Sequence, residues 1–291
     1  MGKFAKDRRD IFYRKAKQEG WRARSAYKLL QLDDEFDLLG PHLLRAVDLC
    51  AAPGSWSQVL SSKLWGENEV VDPNLPARIV AVDLQEMTPI HGVRVVQGDI
   101  TSRSTAQQVV DAFGGGKAQL VVSDGAPDVT GMHDLDEFVQ AQLLIAALNL
   151  STFLLEEGGM MVAKIFRNKD VTLLYAQFEV FFTSVVVAKP MSSRNSSAEA
   201  FVVCRGFHLP QGFTPSFDTP LEALSYASQA NAPPTRLGPN RNIARFISCG
   251  DLDGPDPNKS HALGADHEFL PPVHPPIKAA YEGAVQSKRK Q

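Results

Sequence analysis

The sequence predicts an α/β fold: a mostly parallel, seven-stranded sheet with helices on both faces and an antiparallel hairpin at one edge. Three observations carry this. Short apolar runs alternate with longer runs of helical spacing over residues 1–206, the pattern of a parallel sheet covered on both sides. A strand, a tight small-residue turn and a helix start stand in direct succession at 44–60, LRAVDLCAAPGSWSQVL. Two apolar runs, 183–188 and 200–204, close the pattern with no room for a helix between them, which makes a hairpin.

In chain order, residues 6–18 form a short basic helix ended by Gly20, and Ser25 caps a second over 26–36. Its apolar positions Leu29, Leu30, Leu32 and Phe36 recur at helical spacing, which leaves Lys28 near its start. The strand 43–49 breaks at Ala51, Ala52, Pro53 and Gly54, and a helix resumes at Ser55. Residues 65–77 read as an inserted loop. RIVAVD (78–83) is a strand ending on an acid; VRVVQG (93–98) is another, followed by Asp99 and a polar helix over 101–113. QLVVS (119–123) delivers Asp124 into the loop GAPDVTGMHD, and a long helix over 135–155 stops at Gly158 and Gly159. MMVAKIF (160–166) is the fifth strand, 171–180 a helix, and the hairpin follows.

Beyond Gly206 the texture changes: 12 of the 19 prolines lie there, so the segment reads as an extended tail that sustains neither helices nor central strands. Its one apolar patch is IARFI at 243–247, a candidate for docking on the body or on a partner. The expected organisation is a basic N-terminal arm (1–20), a main domain (21–206) and a Pro-rich C-terminal extension (207–291).

With 44% apolar and 22% charged residues the chain can bury a sizeable core. No apolar run approaches membrane-spanning length, and the N-terminus is charged rather than a signal sequence. Three cysteines, Cys50, Cys204 and Cys249, form no CxxC pair; neither a zinc site nor a disulfide framework is expected, and the reading is a reducing compartment, cytosol or nucleus, with a cytoplasmic location taken as the expectation. Residues 1–28 hold ten Lys or Arg against three acids, a net +7 on a chain of total charge −3, which leaves −10 for the remainder. A basic arm on an acidic body points to a polyanionic partner, because neutralising phosphate needs local charge. Trp21 and Tyr27, interleaved with the cations, are candidates to stack a splayed base.

In an open parallel sheet, ligands sit outside the carboxyl ends of the strands, where Asp83, Asp99 and Asp124 fall. The turn at 51–54 lets backbone N–H groups approach a ligand, and the following helix presents its positive end. The three-glycine dinucleotide fingerprint is absent, which disfavours a nicotinamide cofactor. An acid ending the second strand suits the two hydroxyls of a ribose, and Asp99 suits an exocyclic amine; with the turn they favour an adenosine-containing cofactor. Lys164 interrupts an apolar strand, where an unpaired ammonium costs on the order of 3 kcal/mol or more, so it needs acidic partners or a lowered pKa. Asp124 and Glu199 are the acids at neighbouring strand ends, and Lys28 is the available second cation. Two lysines with two carboxylates read either as a catalytic group or as a satisfied charge cluster.

LCAAPGSWSQVL, DGAPDVTG, VAKIF and KPMSSRNSSAEAF, in this order and with Lys28 upstream in WRARSAYKLLQLD, closely resemble the FtsJ/RrmJ family of RNA ribose 2′-O-methyltransferases over about 200 residues. The resemblance implies a Rossmann-like, S-adenosylmethionine-dependent methyltransferase fold and a catalytic Lys-Asp-Lys-Glu tetrad at Lys28, Asp124, Lys164 and Glu199. It implies cofactor contacts at Pro53, Gly54, Trp56, Asp83, Asp99 and again Asp124, with no metal. The basic N-terminus and the spellings WRARSAYKLLQLD and SSRNSSAEAF look most like the eukaryotic tRNA anticodon-loop branch, which implies methylation at position 32 and/or 34 and a separate non-catalytic partner subunit. Methylation of ribosomal RNA or of an mRNA cap stays open at this point, as does a non-catalytic RNA-binding scaffold, although a scaffold predicts a broken tetrad and all four residues are present.

Overall fold

In the computed structural model the described residues are 10–66, 69–126, 133–167, 171–218, 221, 245–251, 253–259, 270 and 273. The expectations for residues 1–9, for most of the loop after Asp124 and for most of the Pro-rich tail lie outside them. The elements run α1 (Ile11–Gln18), α2 (Ala26–Phe36), β1 (Ala46–Leu49), α3 (Ser55–Leu64), β2 (Ile79–Asp83), β3 (Val93–Gln97), α4 (Arg103–Ala112), β4 (Ala118–Ser123), α5 (His133–Leu154), β5 (Leu155–Phe166), α6 (Val171–Phe181), β6 (Phe182–Pro190), β7 (Glu199–Phe207) and β8 (Arg245–Cys249).

The strands form one sheet in the order β3-β2-β1-β4-β5-β7-β6-β8. Only β7 runs against the others: it pairs antiparallel with β5 and β6, whereas the remaining neighbours pair in parallel. The strand count corrects the expected seven. The extra strand, β8, arises within the segment read as an extended tail and lies parallel along the outer edge of β6, so the hairpin is not the last pair of the sheet. Its formation is a pairing effect: the backbone of an edge strand offers a row of donors and acceptors that a short apolar segment such as RFISC can satisfy.

Alternation along each strand divides the core between two faces. Val47 and Leu49 of β1, Val80 and Val82 of β2 and Val121 of β4 pack on one side with α4, α5 and α6. Ala46, Ile79, Leu120 and Val122 pack on the other with α2 and α3. Cys249 of β8 belongs to this second face, so the added strand is integrated into the core. α1 begins at its cap Asp10, whose carboxylate accepts from the Tyr13 N–H, and docks through Phe12 and Ala16 on Tyr27. Among the described residues no helix is long and apolar enough to cross a membrane.

Candidate active site

Four charged side chains from four separate elements meet where β4, β5 and β7 adjoin. Lys28 comes from the first turn of α2, Asp124 follows β4, Lys164 lies inside β5, and Glu199 is the first residue of β7. Register explains the meeting. Lys164 pairs with Phe201 and Phe166 with Glu199, so Glu199, two residues from Phe201, lies on the same face of the sheet as Lys164. Because β7 runs antiparallel, its N-terminal end lies beside the carboxyl ends of β4 and β5.

Lys164 is 8% exposed. Its Nζ lies 2.8 Å from Asp124 Oδ1 and 3.8 Å from Glu199 Oε2 and donates to the Asp124 carbonyl at 2.7 Å. Lys28 Nζ has the opposite preference, 2.8 Å to Glu199 Oε2 and 3.5 Å to Asp124 Oδ1. Each lysine thus has a near carboxylate and a far one. Burial pushes the Lys28 ammonium toward losing its proton, but Asp124 and Glu199 outweigh that and hold its pKa above the ordinary value. Burial disfavours the Glu199 carboxylate too, yet Lys28, Lys164 and the Ser193 hydroxyl bring its pKa down to about 2. Lys28 also sits 5.6 Å over the Phe201 ring, which packs on Trp56.

The turn after β1 is built by backbone conformations few residues adopt. Cys50 takes a left-handed φ of 57°, the Ala52–Pro53 peptide is cis, and Gly54 caps α3 at φ 103°. At Gly54 a side chain is excluded twice over: the φ strains any L residue, and a Cβ would stand 2.7 Å from Ile90 Cδ1 and 2.8 Å from Arg22 Nη1. Asp83 braces the turn by accepting from the Ala52 N–H at 2.8 Å, while its other oxygen accepts from Gln85 N–H at 2.7 Å. Asp99 is exposed and accepts from the N–H and hydroxyl of Thr101 through Oδ1. Pro53 is exposed beside them.

Three sequence-level assignments change in detail. The Trp56 side chain is 2% exposed and donates through Nε1 to the Ser25 carbonyl at 2.8 Å, so its indole is committed to the core. Tyr27 is a core residue whose hydroxyl donates to Glu19, so it is not available to stack a base. Arg22, counted in the basic arm, turns its guanidinium onto the carbonyls of Pro53, Thr88 and Pro89 and clamps the turn. Its charge is legible in sequence; its direction is not.

Sequence reasoning also passed over supporting residues. Asp48, 1% exposed in β1, accepts from Ser57 Oγ of α3 at 2.6 Å; burial, opposed by that hydrogen bond and reinforced by Asp124 and Asp83, pushes its pKa up to about 7. The one available signal was an acid inside an otherwise apolar strand. Gln140 of α5 donates to the Lys164 and Gly125 carbonyls, tying β5 to the segment after β4. Among the described residues no group of three or more His, Cys, Asp or Glu could hold a metal ion.

Comparison with known proteins bears on this geometry. A family model described as FtsJ-like methyltransferase matches residues 21–207. A tRNA (cytidine(32)/guanosine(34)-2′-O)-methyltransferase of Homo sapiens is 54% identical over all of this chain and 86% of its own length. One of the same description from Schizosaccharomyces pombe is 49% identical over 97% of both chains. Among solved structures, a Plasmodium falciparum protein described as a ribosomal RNA methyltransferase superposes with a TM-score of 0.55 at 23% identity, covering 64% of this chain and 98% of its own; that likeness concerns the fold alone.

Proposed function

We propose, from the premise that the chain belongs to the FtsJ-like methyltransferase family, that it methylates ribose 2′-hydroxyls of the tRNA anticodon loop, at positions 32 and/or 34 as its relatives are described to do. Similarity to those relatives along the whole chain supports the substrate. The observation that carries the chemistry is the buried cluster in which Lys164 lies 2.8 Å from Asp124 and Lys28 lies 2.8 Å from Glu199. S-adenosylmethionine supplies the methyl group when bound and leaves as S-adenosylhomocysteine. The residues at the ends of β1, β2 and β3 fit it: a side-chain-free Gly54, the positive N-terminal end of α3 for a carboxylate, and the carboxylates of Asp83 and Asp99 for ribose hydroxyls and an amine.

The reaction asks the protein for alignment and for a place to put a proton. Lys164 Nζ, in its neutral form, takes the proton from the 2′-oxygen, and the Asp124 carboxylate and carbonyl fix where that nitrogen points. Lys28 stays an ammonium and stabilises the negative charge that grows on the oxygen. Asp124 and Glu199 balance Lys28 and the ammonium that Lys164 becomes on taking the proton, in a site with little water to do so. The basic arm of residues 1–20 tracking RNA phosphates, a non-catalytic partner subunit that presents the tRNA, action in the cytoplasm, and 21–206 as the catalytic domain with 207–291 as its extension belong to the same proposal.

The test is a methylation assay on tRNA, ribosomal RNA and capped mRNA transcripts, with mapping of the modified ribose. Wild-type protein is expected to modify tRNA at position 32 or 34, and Lys164→Ala to lose at least about 10²-fold in rate while binding S-adenosylmethionine as tightly as before. Near-normal turnover of Lys164→Ala overturns the base assignment, and modification of ribosomal RNA or cap in preference to tRNA overturns the substrate.

A further inference from the structure

The tetrad has a fifth polar neighbour. Ser193, in the connection between β6 and β7, is 1% exposed and donates its hydroxyl to Glu199 Oε1 at 2.7 Å. Lys28 occupies the other oxygen, Oε2, at 2.8 Å, and Lys164 approaches that oxygen at 3.8 Å. The carboxylate is therefore held from both sides. We propose that Ser193 is a positioning residue for methyl transfer: by fixing Oε1 it keeps Oε2 on Lys28 and stops Glu199 from turning to Lys164, whose nitrogen the reaction needs on Asp124. The inference rests on the tetrad reading above.

The surroundings of Ser193 are built to make that hold rigid. Its turn closes through the Ser193 N–H on the Pro190 carbonyl at 2.9 Å. One residue earlier, the Ser192 N–H donates to Gln31 Oε1 at 2.9 Å. Gln31 stands one turn after Lys28 on α2, so the two groups that grip Glu199 are fixed to the same helix. Arg24 donates to the Ser192 carbonyl while pairing with Asp10, and Met191 N–H donates to the Cys249 carbonyl of β8 at 2.7 Å. One of these bonds is made by the Ser193 backbone and the others by the two residues before it, so the segment that carries the hydroxyl is tied to α2 and β8, the kind of support that a precisely placed catalytic charge requires. A hydroxyl suits the task because a hydrogen bond to an ionised carboxylate is short and strong yet adds no further charge to a balanced cluster.

Ser193→Ala removes the hydroxyl and leaves the backbone. Single-turnover methylation rates, taken per bound S-adenosylmethionine so that unfolded protein does not count, are compared for wild type, Ser193→Ala, Glu199→Ala and the double variant, with Lys164→Ala alongside. We expect Ser193→Ala to slow the step by about tenfold with cofactor and tRNA affinities within about twofold of wild type. In the Glu199→Ala background the same change should have no further effect, since there is no carboxylate left to hold. A wild-type rate for Ser193→Ala, an equal slowing with and without Glu199, or a loss confined to affinity each overturns the proposal. Should Lys164→Ala retain turnover, the tetrad reading fails instead, so the two failures are told apart.

Discussion

The two halves of the sheet handle their acids in opposite ways. At the ends of β2 and β3, Asp83 and Asp99 are oriented by backbone N–H groups and a threonine hydroxyl, and neither forms an ion pair among the described residues. At the ends of β4 and β7, Asp124 and Glu199 each lie within 4 Å of both lysines. Acids steered by neutral donors keep lone pairs for an arriving hydroxyl or amine. Acids paired with enclosed cations keep the cations in place; at Asp124 both lysines lie on Oδ1. On the proposed roles, binding and chemistry are separated along one sheet by the kind of partner each carboxylate is given.

The sharpest way to break this contrast is to remove a cation from the second half. Lys28→Met should cost about 10²-fold or more in methylation rate and leave S-adenosylmethionine affinity, measured by calorimetry, nearly unchanged; a loss of cofactor affinity instead would mean that the halves are not separable. In the first half the expected pattern inverts. Asp83→Asn keeps the shape but weakens the acceptor, so cofactor affinity should fall about tenfold with the rate at saturating cofactor within a few-fold. A fall in the saturated rate would place Asp83 in the chemistry.

The smallest effect concerns acid stability. Glu199 has a folded pKa of about 2, below its ordinary value of 4.5, so its ionised form stabilises the fold above that ordinary value, and the contribution drains away as pH falls from 4.5 toward 2. Thermal melts of wild type and Glu199→Gln should therefore converge as pH drops through this window. Parallel curves would mean that the cluster does not hold Glu199 ionised.

Most strands and the two-faced core were legible because apolar alternation is a local property of sequence: the runs at 78–83 and 160–166 announce β2 and the core of β5 unaided. β8 was legible only as an apolar patch at 243–247 able to dock on the body; that it docks as a strand was not, since a five-residue run among prolines becomes a strand only when a neighbouring edge pairs with it. Charge was legible as well, but its destination was not. Lys164 gives itself away by interrupting an apolar strand, whereas Arg22 and Tyr27 sit in a basic stretch that says nothing about which side chains turn inward. Asp48 interrupts an apolar strand as Lys164 does, and Ser193 stands within SSRNSSAEAF; what neither signal carried is the partner, Ser57 for Asp48 and Glu199 for Ser193, which only the folded chain defines.

β8 matters in a further respect. A boundary drawn at residue 206, where the sequence changes texture, removes the strand that pairs with Val186 to Pro190 of β6 and bares that stretch of its outer backbone edge. Long bare edges of this kind recruit strands from other copies. Truncation at 206 is therefore expected to raise the tendency to self-associate, which light scattering of the full and the truncated chain would show.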